Sequence, residues 1–448
     1  MPRLRRHVRQ IVILSLPIIV ARAGQLVLNF ADTVMVGRAG PAELARLGFG
    51  LSLSITFIVA GVGLLMGTLA MTAQALGRGQ SAEAGAVWRR SLPFALIVGV
   101  AAGGLTAASQ LIFPFFTDDA ALVADSGRVA RIFALGLPAV MLYAATSMFL
   151  EGLRRPVAGM VIMIAANGVN VLLNWVFIFG HWGAPAMGAE GSALATSILR
   201  WLMVLAILAW VWWAPTLRRY GVRHGGPASW ADGRAQRKLG YAAGASMAFE
   251  LSAFSLLTLW VGRLGEVALG VHTIAMNLTV LVFMVAIGLG FATAVQVGEA
   301  KGAEQPHEMR LAGWTGLALT TITMTAGLIL FRLAPDGLAA FYNDDPAVLA
   351  LAGGVIAFAA WILIFDGGQT VMHSALRGLG DTWVPTLCHF TSYYVVMLPL
   401  AWLLAFRLEL GLAGVWQAYL VGSMLSVALQ AGRFRWLTRP PKADRVAF

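Results

Sequence analysis

The chain has 448 residues, of which 59% are hydrophobic and only 12% charged, and it carries a net charge of +11. Soluble domains are about a quarter charged, so this composition excludes a soluble multi-domain protein and indicates an integral membrane one. The basic excess does not mark a nucleic-acid binder, because Lys and Arg fall in alternate gaps between apolar runs and no basic face is paired with exposed aromatics.

The N-terminal MPRLRRHVRQ is basic and leads into an apolar run, as a secretory signal would. That run contains Asp32 and lacks a small-residue cleavage site before a soluble domain, so it reads as a first membrane helix that is kept. A helix needs about 20 apolar residues to cross a bilayer. Twelve segments qualify: 10–34, 44–71, 88–114, 128–152, 157–180, 188–213, 237–262, 269–297, 310–332, 348–374, 383–406 and 410–436. Barrel strands would be short and alternating, and none occurs. Helices satisfy their backbone groups internally, which the bilayer interior requires.

Orientation follows from the basic residues. Arg3, Arg5, Arg6, Arg9, Arg78, Arg89, Arg90, Arg154, Arg155, Lys301, Arg310 and Arg377 fall on one side, with the basic residues of 215–238 and of the C-terminus. Arg38, Arg46, Arg128, Arg131, Arg263, Arg332 and Arg407 fall on the other. Both termini are therefore expected in the cytoplasm, with the chain multi-pass in the cell's inner membrane.

The Gly- and Arg-rich segment 215–236 divides the chain nearly in half and reads as a linker between lobes 1–214 and 237–448. The halves resemble each other. Val36-Gly37-Arg38 recurs as Val261-Gly262-Arg263, and at the same offset Gly40, Gly63 and Thr68 recur as Gly265, Gly288 and Thr293. Gly188 and Gly191 return as Gly411 and Gly414. The expected fold is all-α: twelve transmembrane helices in two pseudo-symmetric six-helix lobes, arranged as parallel repeats.

Acids inside the spans are few. Asp32 lies on the first, Glu250 on the seventh and Asp366 on the tenth. A carboxylate there costs roughly 3 kcal/mol on insertion scales, so each is a functional candidate. The alternative is a structural ion pair, with Arg22 or Arg200 as partner for Asp32. The spans of the C-terminal half contain no Lys or Arg, so Glu250 and Asp366 read as a pair that takes up a cation, sodium or a proton. Asn167, Asn170 and Asn174 share one face of the fifth helix, as packing glue or as the lining of a pocket with Asp32. Gln25 occupies the place of Glu250 in the first repeat. His272, Asn277 and His373 read as packing. Pro17, Pro138 and Pro399 are candidate bends. The single cysteine, Cys388, allows no disulfide within the chain and no cysteine metal site. No GxxxxGK[ST] loop, HExxH helix or GxSxG elbow occurs, which argues against ATP-driven transport within this chain and against a hydrolase.

LPIIVARAGQLVLNFADTVMVGRAG resembles the first helix of multidrug and toxic compound extrusion (MATE) transporters. SMAFELSAFSLLTLWVGRLGEVALGVHTIAMNL resembles their seventh and eighth helices, and IFDGGQTVMHSALRGLGDTWVP their tenth and the loop after it. The resemblance covers essentially the whole chain and is strongest to the bacterial NorM-like branch. It implies alternating access and export of lipophilic organic cations in exchange for sodium or protons, by a monomer, without cofactor. It places the coupling cation on Glu250 and Asp366, which would ligate the metal ion if sodium is used. Asp32 matches a first-helix coupling aspartate and Asn170 an N-lobe site asparagine, whereas Asn174 replaces an aspartate there. Asp344 and Asp345 match external-loop acids that contact cationic drugs; as residues they read equally as a solvated loop. Phe283 and Ile362 stand where relatives carry tyrosines, and Phe283 keeps a ring face for a cation. The resulting expectation is a cation-coupled multidrug antiporter, not an enzyme, with small organic cations and the bilayer as partners. The alternatives are a lipid-linked oligosaccharide flippase, which would favour a cationic cavity, and an integral-membrane enzyme, for which no clustered catalytic set is present.

Overall fold

A computed structural model describes residues 2–223, 229–342 and 345–439. Among them, twelve helices are long and apolar enough to cross a membrane, and no strand occurs. They are α1 (Pro2–Ala39), α2 (Pro41–Gly77), α3 (Ser81–Leu111), α4 (Ala120–Gly152), α5 (Val157–Phe179), α6 (Gly188–Trp213), α7 (Arg234–Gly262), α8 (Glu266–Gly302), α9 (Pro306–Leu333), α10 (Pro346–Gly378), α11 (Trp383–Arg407) and α12 (Gly411–Leu437). Each coincides with one expected apolar segment.

Local chemistry sets the ends and breaks. Pro41, Pro306 and Pro346 stand in first turns, where a missing N–H costs nothing. The side chains of Asp119 and Asp345 accept from backbone N–H groups at the starts of α4 and α10. Pro138 has no N–H and its ring crowds the carbonyl of Ala134, where the first part of α4 ends. Pro399 lies between two stretches of wider i→i+5 turns, Thr391–Met397 and Leu403–Arg407. Pro17, by contrast, sits in an unbroken helix.

The chain divides into two compact units, Val20–Ala245 and the combination of Met1–Ile19 with Ser246–Phe448. The boundaries therefore fall inside α1 and α7, not at 214 and 237 as the sequence suggests. Specific contacts explain the shift. His7 bonds Gln296 of α8 and Glu308 of α9, which ties the start of α1 to the C-terminal helices. Gln236 Nε2 donates to Thr68 Oγ1 at 2.9 Å, which ties the start of α7 to α2. Nor is the expected linker 215–236 free throughout: Leu217, Tyr220 and Val222 are buried against Ala84 and Trp88 of α3.

In the unit that holds α8 to α12, the apolar core runs through Phe331, Ile362, Tyr393 and Trp416. There α8 and α10 approach closely through small residues. Gly378 leaves no room for a side chain against the carbonyl of Ala294, and Gly290 lies against Ser374. That approach fixes the face of α10 on which the candidate site is built.

Candidate functional site

The seventh, tenth, eleventh and twelfth helices each carry polar residues at helical spacing, and these meet in one buried cluster. Ser246 and Glu250 are one turn apart on α7; Asp366, Gln369 and His373 follow one face of α10. His389 and Tyr393 lie on α11, and Tyr419, Ser423, Ser426 and Gln430 on α12. Asp366 is 4% exposed and Gln369 is fully buried. A buried carboxylate is tolerable only with hydrogen-bonding partners. Gln369 Nε2 donates to Asp366 Oδ1 at 3.1 Å, and the hydroxyls of Tyr419, Tyr393 and Ser423 lie around the carboxylate. Glu250 lies within electrostatic range of Asp366. Its Oε2 is 4.0 Å from His389 Nδ1, which also bonds Ser246 Oγ at 2.9 Å.

The expected pair, Glu250 with Asp366, is thus brought together. One expectation fails: Arg377, one turn beyond His373 on α10, acts electrostatically on Glu250, so the C-terminal spans are not free of basic side chains. The oxygens around Asp366 are carboxylate, phenol and hydroxyl, a hard set that suits sodium or a proton. Among the described residues no group of three or more His, Cys, Asp or Glu converges as a metal cage.

A second polar centre lies in the unit Val20–Ala245. Asp32 Oδ1 accepts from Asn170 Nδ2 at 3.0 Å and Asn174 Nδ2 at 2.6 Å, and Oδ2 accepts from Thr196 Oγ1 at 3.0 Å. Arg200 acts on Asp32 electrostatically while its guanidinium stacks 4.0 Å over Phe133. The sequence joined Asp32 to Asn170 and Asn174 correctly. Asn167 does not join them, because its amide bonds the Met163 carbonyl of its own helix. Arg22 is not the partner of Asp32 either; it lies 3.7 Å from Glu151, a buried acid near the end of α4 that the sequence reading passed over.

The remaining candidates disperse. Phe283 packs partly buried against the apolar core, and Ile362 is fully inside it. Asp345 caps α10, about 30 Å along that helix from Asp366 at 1.5 Å per residue. Asp344 lies outside the described residues. A cavity of 480 Å³ in the unit Val20–Ala245 is lined by Glu43, Arg46, Asp125 and Glu190. Ion pairs of Arg46 with Glu43 and Asp125, and of Arg128 with Asp125 and Glu190, tie α2, α4 and α6 together at its wall.

The family profile described as MatE matches residues 17–176 and again 242–403. The chain belongs to the MatE family. The two matched stretches start at the spacing that relates the sequence repeats. The chain is 37% identical over 426 residues to "Probable multidrug resistance protein NorM" of Caulobacter vibrioides, covering 94% of this chain and 90% of that protein. It is 32% identical to "Multidrug resistance protein PmpM" of Pseudomonas aeruginosa, over 99% of this chain and 95% of the relative. The crystal structure of the eukaryotic MATE transporter AtDTX14 superposes with a TM-score of 0.87 at 19% identity, covering 98% of this chain and all of the other. At that identity the match shows the fold alone. This MatE chain is a multi-pass, all-α membrane protein.

Gln369, His389, Tyr393 and Tyr419 are the site residues that sequence reading missed. The signal was present on α10, where Gln369 and His373 follow Asp366 at i+3 and i+7. Phe283 and Ile362 offer no phenol, and the phenols nearest Asp366 are those of Tyr393 on α11 and Tyr419 on α12.

Proposed function

We propose that this MatE protein is a cation-coupled multidrug exporter, a transporter and not an enzyme. Inward movement of sodium or a proton through the Glu250–Asp366 pair drives outward movement of lipophilic, often cationic, organic compounds by alternating access. The reading includes a functional monomer in the inner membrane with both termini cytoplasmic. The observation that carries it is the meeting of two carboxylates of the apolar spans, the half-buried Glu250 of α7 and the buried Asp366 of α10, within electrostatic range of each other. The names of the relatives, which are multidrug resistance proteins, support the direction and the substrate class.

Two like charges this close repel unless a cation joins them, so the pair favours a bound cation. Binding drives a conformational change only through differential affinity for the two states. One charge moved inward at ~100 mV contributes about 2.3 kcal/mol. Asp32, with Asn170 and Asn174, forms a second polar centre and is assigned a supporting part in coupling. Asp344 and Asp345 are assigned to drug contact at the outer mouth.

Ethidium efflux from cells expressing the full chain tests this reading. Glu250→Gln and Asp366→Asn are each expected to lower efflux at least tenfold at normal expression. Wild-type rates in both variants would remove the proposed coupling site. Dissipating the sodium and proton gradients separately identifies the coupling ion, because only one of them is expected to abolish efflux.

A further inference from the structure

The amide of Gln369 is fully used. An amide side chain offers two N–H donors and one carbonyl with two lone pairs. Nε2 donates to Asp366 Oδ1 at 3.1 Å and to the Tyr393 hydroxyl oxygen at 2.8 Å. Oε1 accepts from His389 Nε2 at 2.7 Å and from Ser426 Oγ at 2.9 Å. Ser426 is held in turn by Gln430 Nε2 at 3.0 Å.

These four bonds have one polarity. A carboxylate only accepts, so the NH2 end of Gln369 faces Asp366 and the carbonyl end must face donors. His389 therefore carries its hydrogen on Nε2, which leaves Nδ1 to accept from the Ser246 hydroxyl at 2.9 Å. The same Nε2 lies 3.2 Å from His373 Nδ1, a longer contact than the one to Gln369. The other groups that face His389 are Glu250 of α7, Arg377 of α10 and the ring of Tyr393 on its own helix. Donation runs from α11 and α12, through Gln369, to Asp366.

We infer that Gln369, held in this orientation by His389, is a positioning residue for coupling: its N–H occupies an Asp366 lone pair while the cation is away and yields it when the cation arrives. This rests on the cation-coupled reading above. Hydrogen bonds to a carboxylate are stronger than neutral ones. Such a donor competes with an incoming cation for the same electron pairs. The competition keeps affinity moderate, so the cation leaves as readily as it enters. A plain structural tie between α10, α11 and α12 would have no such effect on cation affinity.

The test uses the purified full chain in proteoliposomes loaded with ethidium. Exchange is measured against external sodium at fixed pH and against external pH without sodium, and ethidium binding is measured by fluorescence anisotropy. Gln369→Met keeps the volume and removes the amide. It is expected to lower the concentration of coupling cation at half-maximal exchange roughly tenfold, the size of one hydrogen bond to a charged group. Maximal rate is expected to fall, with ethidium affinity within twofold of wild type. Unchanged half-saturation in that variant would overturn the inference. His389 variants give a second route if Gln369→Met does not fold. His389→Leu is expected to shift half-saturation the same way, and His389→Gln, which retains an N–H towards Gln369, to restore it. Equal behaviour of the two would also overturn it. Asp366→Asn serves as the separate check: coupled exchange at the wild-type rate there would remove the coupling reading itself, whatever Gln369 does.

Discussion

Asp32 is half-buried and Asp366 buried, and the neighbours of these two carboxylates differ in kind. Two of the three donors on Asp32 are amide N–H groups, from Asn170 and Asn174, which cannot become oxygen ligands without turning over. Asp366 has one such amide and three hydroxyl neighbours, and a hydroxyl offers lone pairs simply by rotating. That contrast favours reversible cation binding at Asp366 and a more fixed bonding pattern at Asp32. Asp345 separates a structural role from a functional one. Its carboxylate accepts the Ala347 N–H at 2.8 Å and starts α10. Asp345→Ala is therefore expected to cost about 1 kcal/mol of stability, the usual cost of losing such a cap. Thermal unfolding in detergent measures that loss. Ethidium efflux is expected to fall more than twofold, as drug contact requires; efflux within twofold of wild type would leave Asp345 a cap alone.

Among elements, α10 was the most legible from sequence and the most constrained in space. Its apolar length and its carboxylate were both readable, because each is a property of one segment. The stripe from Asp366 through Gln369 to His373 was readable too, since i, i+3 and i+7 share a helix face. What a single segment cannot reveal is which other helices its stripe meets. His389 was unmarked and His373 read as packing, because a lone histidine in an apolar run has no distinguishing periodicity. Glu151 was missed for a different reason: it stands near a helix end, where acids are ordinarily solvated, and only packing shows it to be buried. The contact of α10 with α8 depends on Gly378, where an added Cβ would sit 2.4 Å from the carbonyl oxygen of Ala294. Gly378→Ala must push the helices apart, at an expected cost of about 1–3 kcal/mol. The melting temperature should fall, and efflux should fall with it because the Asp366 face moves. An unchanged melting temperature would show that the helices separate freely.

For the whole molecule, the twelve spans and their all-α character were legible because apolar length alone dictates them in a membrane protein. The division into units was not, because it depends on contacts at helix ends. The first residues of α1 belong with the C-terminal helices through His7, Arg6 and Glu308. Both ring nitrogens of His7 face acceptor-capable atoms, Gln296 Oε1 and Glu308 Oε2, each at 2.7 Å. Deleting residues 2–9 strands those partners, one of them fully buried within the protein. The shortened chain is expected to unfold several degrees below the full one in detergent, and equal melting temperatures would show that the N-terminal turns contribute nothing to the unit they join. A last consequence concerns Cys388. It is the only thiol in the chain, half-buried, and the residue directly before His389. The unaltered protein therefore has a single attachment point for a sulfhydryl-reactive fluorophore, and its labelling rate reports how readily solvent reaches the rim of the α11 cluster during turnover.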